Sequence, residues 1–144
     1  MTNSTANPLR TILHLDMNSY FATLMQQENP QLRGKPIGVV KGKGRTCLIA
    51  ASKEAKAQGV HTGSRLYDAR EVCPNIIAIP AEFDRYLDAT RRLRNIFKKV
   101  SPNIFIYSLD EAFIDITDCL KYMYADPFLL AKQLQQDVFN ELGD

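Results

Sequence analysis

Tyr107-Ser108-Leu109-Asp110-Glu111-Ala112-Phe113-Ile114-Asp115-Ile116 is the stretch on which the reading of this chain turns. Two adjacent acids stand between apolar, β-prone runs, 104–107 before them and 112–116 after. That pattern predicts a hairpin with carboxylates at its tip or inner edge. Strand alternation sends Asp110 and Glu111 to opposite faces, whereas a tight turn or bulge brings both to one site. Taken alone, the pair reads as a solvated polar turn, because exposed acids are the norm. A site requires a partner elsewhere in the chain.

The candidate partner is far upstream. Thr11-Ile12-Leu13-His14-Leu15 is a short apolar run of strand character with Asp16 at its C-terminal end. An acid at a strand end is held rigidly, as a ligand must be. Met17 follows, then Asn18 and Ser19, both residue types that cap helices. The spacing predicts a helix over 20–27, ending before Asn29-Pro30.

The remaining segments fill in around these two. Immediately before the hairpin, 82–100 is the longest predicted helix, with Phe83, Tyr86/Leu87, Thr90, Leu93, Phe97 and Val100 on its inward face. Its Arg85, Arg91, Arg92, Arg94, Lys98 and Lys99 read as a solvated face. After the hairpin, 118–124 is expected as a connection, and Pro127 opens a last helix that runs to Leu142. Between the first helix and the long one lies a small mixed insertion. It has strands at 37–40 and 47–51, a Ser52-capped helix over 53–58 with Gly59 at its end, a short helix over 66–72, and a strand at 76–79. The loop Lys41-Gly42-Lys43-Gly44-Arg45-Thr46 is basic and glycine-rich, but it does not fit a Walker phosphate loop and reads as a turn. Without the insertion the order is β-α-β-β-α, the ferredoxin-like order with its last strand missing. Such a sheet brings the end of the first strand beside the hairpin, so Asp16, Asp110 and Glu111 can meet. A carboxylate cluster of this kind is what hard divalent cations such as Mg²⁺ require.

Composition agrees with one ordinary domain. The 144 residues are 45% hydrophobic and 24% charged, and no run approaches the length of a membrane span. Residues 1–10 read as a flexible leader without the pattern of a secretory signal. Cys47, Cys73 and Cys119 are odd in number and scattered, which argues for thiols in a reducing compartment. The net charge of +2 conceals an asymmetry: residues 1–100 carry 16 Lys/Arg against 8 Asp/Glu, and residues 101–144 carry 2 against 8. A basic front and an acidic back suit a protein that holds a polyanion and gathers cations at one place; ordinary surface charge is the alternative.

Four stretches then resemble one family. Leu15-Asp16-Met17-Asn18-Ser19-Tyr20-Phe21-Ala22, Ala51-Ser52-Lys53-Glu54-Ala55-Lys56-Ala57-Gln58-Gly59-Val60, Cys73-Pro74-Asn75 and Ser108-Leu109-Asp110-Glu111-Ala112-Phe113 are similar, in this order, to motifs of the Y-family (UmuC-like) translesion DNA polymerases, the DNA polymerase IV type among them. The resemblance runs from about residue 11 to about 142. It implies a ferredoxin-like α+β palm over 11–18 and 81–144 (incomplete) and an inserted α/β fingers domain over 19–80. It also implies template-directed transfer of a nucleotide from dNTP to a primer 3′-hydroxyl with two Mg²⁺ ions. Asp16 and Asp110 would hold both metals, with the Met17 carbonyl as a further ligand, and Glu111 would hold the catalytic one. Phe21 falls on the family's steric gate, under the sugar, with Tyr20 its neighbour at the nucleotide pocket. Primer-template DNA and dNTP are the implied partners, a sliding clamp would be engaged through the absent C-terminal part, and cytoplasmic residence is implied.

Two departures from the family pattern bear on these expectations. Where the family has Tyr and Arg to grip the triphosphate, this chain has Lys53 and Lys56, which bind phosphate as point charges without a bidentate fork, unless they are simply surface lysines. Asn18 stands where the family has Asp, an exchange that a capping role tolerates. Family members also continue into further palm strands, a thumb and a little finger, which these 144 residues do not hold, so weak or no activity is expected of this span alone. The competing reading is a non-catalytic nucleotide- or DNA-binding remnant that acts by interaction. A nucleotide cyclase-like palm shares the sheet and the two-metal logic but lacks the fingers motifs.

Overall fold

The structure is a computed structural model that describes residues 9–42, 46–123 and 126–143. Most of the expected leader and the tip of the basic loop, residues 43–45, lie outside the described residues. The described residues form two three-stranded sheets. The first is built from β1 (Ile12–Asp16), β5 (Ile104–Ile106) and β6 (Glu111–Asp115), in the order β1-β6-β5. The second is built from β2 (Ile37–Val40), β3 (Leu48–Ala51) and β4 (Ile77–Pro80), in the order β3-β2-β4. Among the described residues six α-helices accompany them: α1 (Tyr20–Glu28), α2 (Lys53–Ala57), α3 (Leu66–Val72), α4 (Phe83–Val100), α5 (Thr117–Met123) and α6 (Pro127–Leu142).

The first sheet is antiparallel throughout, and β1 lies beside β6, with the hairpin partner β5 on the far side. This is the ferredoxin-like α+β arrangement with the strand beyond β1 unfilled among the described residues, as the order β-α-β-β-α implies. The bond from Met17 N to Asp110 O (2.9 Å) and the bond from Ile116 N to Thr11 O (2.9 Å) fix which residues face which way. The backbone groups of Thr11, Leu13, Leu15 and Met17 point to β6. Those of Ile12, His14 and Asp16 point to the open edge.

One face of the first sheet is covered. Ala112, Ile114 and Ile116 enter a core with Tyr86, Ala89, Leu93, Ile96 and Phe97 of α4 and Leu134 of α6. The inward face of α4 is therefore rotated from the expected one. Phe83 and Leu87 are over 40% exposed, and Ala89 and Ile96 are buried instead. α5 replaces the expected connection: the Asp115 carboxylate accepts from Thr117 N at 3.0 Å, starting a helix one residue beyond β6.

The second sheet is enclosed at its central strand. All four residues of β2 are buried, which suits a strand paired in parallel with β4 and antiparallel with β3. Gly38 leaves room for Leu48 there: a Cβ would meet Leu48 Cδ2 at 2.7 Å, so any larger residue makes that side chain shift. Ser52, fully buried, joins the sheet to α2: its Oγ accepts from Ile37 N (3.0 Å) and Ala55 N (3.3 Å) and donates to Lys35 O (3.3 Å). Gly59 closes α2 at φ +91°, a backbone conformation that glycine adopts without strain. α1 packs on β2 and β3 while following β1 directly, so it couples the two sheets.

Candidate functional site

The register of β1 on β6 sets Asp16 opposite Glu111 and His14 opposite Phe113. Both are non-hydrogen-bonded pairs, in which opposed side chains share a face and stand closest. His14 accordingly stacks on Phe113, with ring centroids 4.5 Å apart and planes 6° from parallel. Its Nε2 donates to Glu111 Oε1 at 2.7 Å. Asp16 is the last residue of β1 and Glu111 the first of β6, so the two residues stand opposite each other on one face at one end of the sheet.

Asp110 stands one residue before β6, at the close of a tight loop. Tyr107 N (3.0 Å) and Ser108 N (3.2 Å) both donate to Glu111 O, which pins Ser108-Leu109-Asp110 as the connection. Ser108 Oγ donates to Asp110 Oδ1 at 2.6 Å, and Asp110 O receives Met17 N. The hairpin expected from the sequence is thus present, with Asp110 in its turn and Glu111 in its strand. The donors are hard oxygens on two adjoining backbones and fit a divalent cation in kind. Their side chains are otherwise engaged: among the described residues no three His, Cys, Asp or Glu groups are gathered to hold a metal. Glu111 is tied to His14 and Asp110 to Ser108.

The segment joining β1 to α1 is strained. Ser19, the residue before the helix, has φ +52°, uncommon for a residue other than glycine. Neither it nor Asn18 caps the helix in the expected way. Ser19 makes no cap bond, and the Asn18 carbonyl accepts from Thr23 Oγ1 at 3.2 Å. Ser19 Oγ instead accepts from Lys56 Nζ at 2.9 Å, which brings the N-terminus of α1 and the exposed face of α2 to one place. Strained backbone of this kind clusters at functional sites.

Tyr20 and Phe21 are differently placed. Tyr20 is 7% exposed, and its Oη donates between the Tyr86 carbonyl and Thr90 Oγ1, each 3.0 Å away. Burial pushes its phenol pKa up, the hydrogen bond with Thr90 opposes the rise, and the nearby Asp110 charge adds to it. Thr90 Oγ1 in turn donates to Leu109 O at 2.6 Å, one residue before Asp110. A chain of hydroxyls thus connects α1, α4 and the acidic turn. Phe21 is half-buried and stacks on Tyr86, with centroids 4.3 Å apart and planes 17° from parallel; Phe83 meets both rings edge-on. His14, Ser19, Thr90 and Tyr86 were not legible as site residues. Their contacts span 97, 37, 19 and 65 residues, and only the alternation of His14 with Asp16 gave a local hint.

A groove of about 750 Å³ runs along the open edge of β1, walled by α1 and α6. Asp16, Met17, Asn18 and Lys53 stand in its lining, while Leu134, Val138 and Leu142 supply an apolar wall from α6.

Residues 15–143 match the family model described as the impB/mucB/samB family. The chain is 37% identical over 134 residues to DNA polymerase IV of Gluconobacter oxydans, an alignment covering 93% of the chain and 37% of that protein. It is 34% identical over 145 residues to DNA polymerase IV of Oceanobacillus iheyensis, covering 99% and 34%. The crystal structure of DinB from Sulfolobus solfataricus superposes with a TM-score of 0.83 at 27% identity, over 90% of this chain and 38% of that one. An insertion ternary complex of Dbh DNA polymerase superposes with a TM-score of 0.82 at 27% identity, over 90% and 39%. The chain spans less than two fifths of the length of these relatives.

Proposed function

The chain belongs to the impB/mucB/samB family, and from that premise we propose that it is the palm-and-fingers part of a Y-family translesion DNA polymerase. In this reading residues 11–18 and 81–144 form the palm and 19–80 the fingers. The reaction is transfer of a nucleotide from dNTP to a primer 3′-hydroxyl on a DNA template. The observation that carries it is the register that sets Asp16 opposite Glu111 in a non-hydrogen-bonded pair, with Asp110 bonded through its carbonyl to Met17 in the next pair.

Asp16, Asp110, Glu111 and the Met17 carbonyl would hold two Mg²⁺ ions, whose contribution is to lower the pKa of the attacking hydroxyl and to neutralise the triphosphate. The chain's own work is positioning, which dominates in transfers to phosphorus. The strands hold Asp16 and Glu111 on a rigid edge, and release of Asp110 from Ser108 and of Glu111 from His14 frees their oxygens for ligation. Lys56, bonded to Ser19 before α1, and Lys53, in the lining of the β1 groove with Asp16, offer positive charge for a triphosphate. Phe21 lies under the sugar, backed by Tyr86, and Tyr20 fixes α1 to α4 behind it. The partners are primer-template DNA and dNTP, with a sliding clamp engaged through a segment outside these residues, in the cytoplasm. No helix among the described residues is long and apolar enough to cross a membrane.

The test joins this chain to the remainder of a matched DNA polymerase IV and measures primer extension with Mg²⁺ and dNTPs. Template-directed extension that disappears with Asp16→Ala or Asp110→Ala supports the proposal. Extension that survives either change overturns the catalytic assignment. A folded, DNA-binding chimera that extends nothing favours the non-catalytic reading.

A further inference from the structure

We propose that Tyr86 and Phe83 of α4 are the positioning residues that set sugar selectivity in this protein, by holding Phe21 so that it cannot withdraw from a 2′-hydroxyl. The inference rests on the reading of Phe21 as the residue beneath the sugar. A ring excludes an added hydroxyl only if it does not yield. A partly exposed aromatic on the first turn of a nine-residue helix yields by rotating about its side-chain bonds unless something behind it refuses the motion.

Here the refusal is visible. Tyr86 lies flat against Phe21 at 4.3 Å and is itself fully buried. Phe83, one helical turn earlier on α4, meets the edge of Phe21 at 6.3 Å and the edge of Tyr86 at 5.8 Å. These are the offset-stacked and edge-on geometries that aromatic pairs prefer. The backing cannot itself retreat. Tyr20 Oη donates to the Tyr86 carbonyl, and Arg85 Nη1 donates to Glu28 Oε2 at 2.6 Å, so α1 and α4 are fastened on both sides of the stack. Phe21 therefore has its rotation closed by two rings from a different helix.

It is the Tyr86 ring that matters, not its hydroxyl. Burial pushes the Tyr86 phenol pKa up, and the Oη has no hydrogen-bond partner among the described residues. Tyr86→Phe keeps the stack and removes only an unpaired polar atom. Tyr86→Leu removes the flat surface. Phe83→Ala removes the edge contact at a position 43% exposed, where truncation leaves the fold intact.

The experiment titrates the chain with dATP and with ATP in the presence of Ca²⁺, which supports binding without turnover, and follows backbone NMR shifts, with thermal melts as the folding control. The unaltered chain is expected to prefer dATP by about tenfold, the worth of one or two aromatic contacts. Tyr86→Phe should keep that ratio, Phe83→Ala should reduce it about threefold, and Tyr86→Leu should bring it near unity, with dATP affinity changed less than about twofold throughout. A ratio that survives in folded Phe83→Ala and Tyr86→Leu overturns the inference alone, as does an unaltered chain that binds both nucleotides equally. An unaltered chain that binds neither overturns the placing of Phe21 beneath a bound sugar, on which the inference rests, whereas the polymerase reading stands or falls with primer extension by the chimera.

Discussion

The two sheets have the same number of strands and opposite exposures. The second is buried at its centre: β2 is buried at every residue, Gly38 gives Leu48 its space, and Ser52 satisfies three backbone groups from inside. The first is closed on one face only. On the other it carries His14, Asp16, Glu111 and Phe113, and its β1 edge is unpaired among the described residues. Under the proposed function, the comparison teaches that chemistry and stability fall on different surfaces. Side chains on the open face contribute little to folding and are available for ligands. Those of the enclosed sheet hold the frame and touch nothing that reacts.

Substitutions can break that division. The largest effect should come from Asp16→Ala in a primer-extending chimera: a rate loss beyond about a thousandfold, more than one preorganised hydrogen-bond donor is worth, with an unchanged melting temperature. A chain that unfolds on losing Asp16 would show that the open face is structural after all. Next is Leu48→Ala in the second sheet, 1% exposed, expected to cost about 2–5 kcal/mol in denaturant titration without altering residual nucleotide binding. Gly38→Ala should cost somewhat less, about 1–3 kcal/mol, because Leu48 must move to admit a methyl group. The smallest effect is expected at the α4–α6 surface, where Arg92 Nε donates to Glu141 Oε1 at 2.8 Å. Glu141→Gln should change stability by under about 1 kcal/mol, and 1 M salt should erase the difference. A larger, salt-resistant loss there would mean that the helices covering the first sheet depend on charge more than on burial.

Acid pH should act through the joint between the sheets. Burial is the largest influence on Glu54 and would raise its carboxyl. Hydrogen bonds from Gln26, the backbone and Ser52, together with Lys53, outweigh it and hold the pKa below the usual carboxylate value. A group depressed in the folded state stabilises above its unfolded pKa and loses that contribution as pH falls through the folded one. Melting curves of Glu54→Gln and the unaltered chain should therefore differ near neutrality and converge in acid.

Much of this was legible because local rules agreed with the fold. Asp16 at a strand end, the hairpin around Asp110-Glu111, the Ser52 cap and Gly59 each follow from short-range chemistry, and the strand and helix order yields the first sheet. What was not legible depended on neighbours distant in sequence. Apolar residues surround α4 on more than one face, and only docking on the first sheet selects Ala89 and Ile96 over Phe83 and Leu87. α5 was missed because its start is an Asp115–Thr117 side-chain cap within a sequence that reads as polar connection. Ser19 has a capping side chain, but Lys56 claims it. Placement of the acids was readable from the order of elements. The ties of Glu111 to His14 and of Asp110 to Ser108 required the register.

The open edge of β1 has a consequence for isotope exchange. The amides of Leu13, Leu15 and Met17 are turned toward β6 and should exchange with deuterium slowly, while those of Ile12, His14 and Asp16, turned the other way, should exchange fast. One strand thus carries two clocks in alternation. Any segment that pairs with the free side, whether from the same polypeptide or another, will slow the fast set and leave the slow set untouched, reporting the sheet's completion residue by residue.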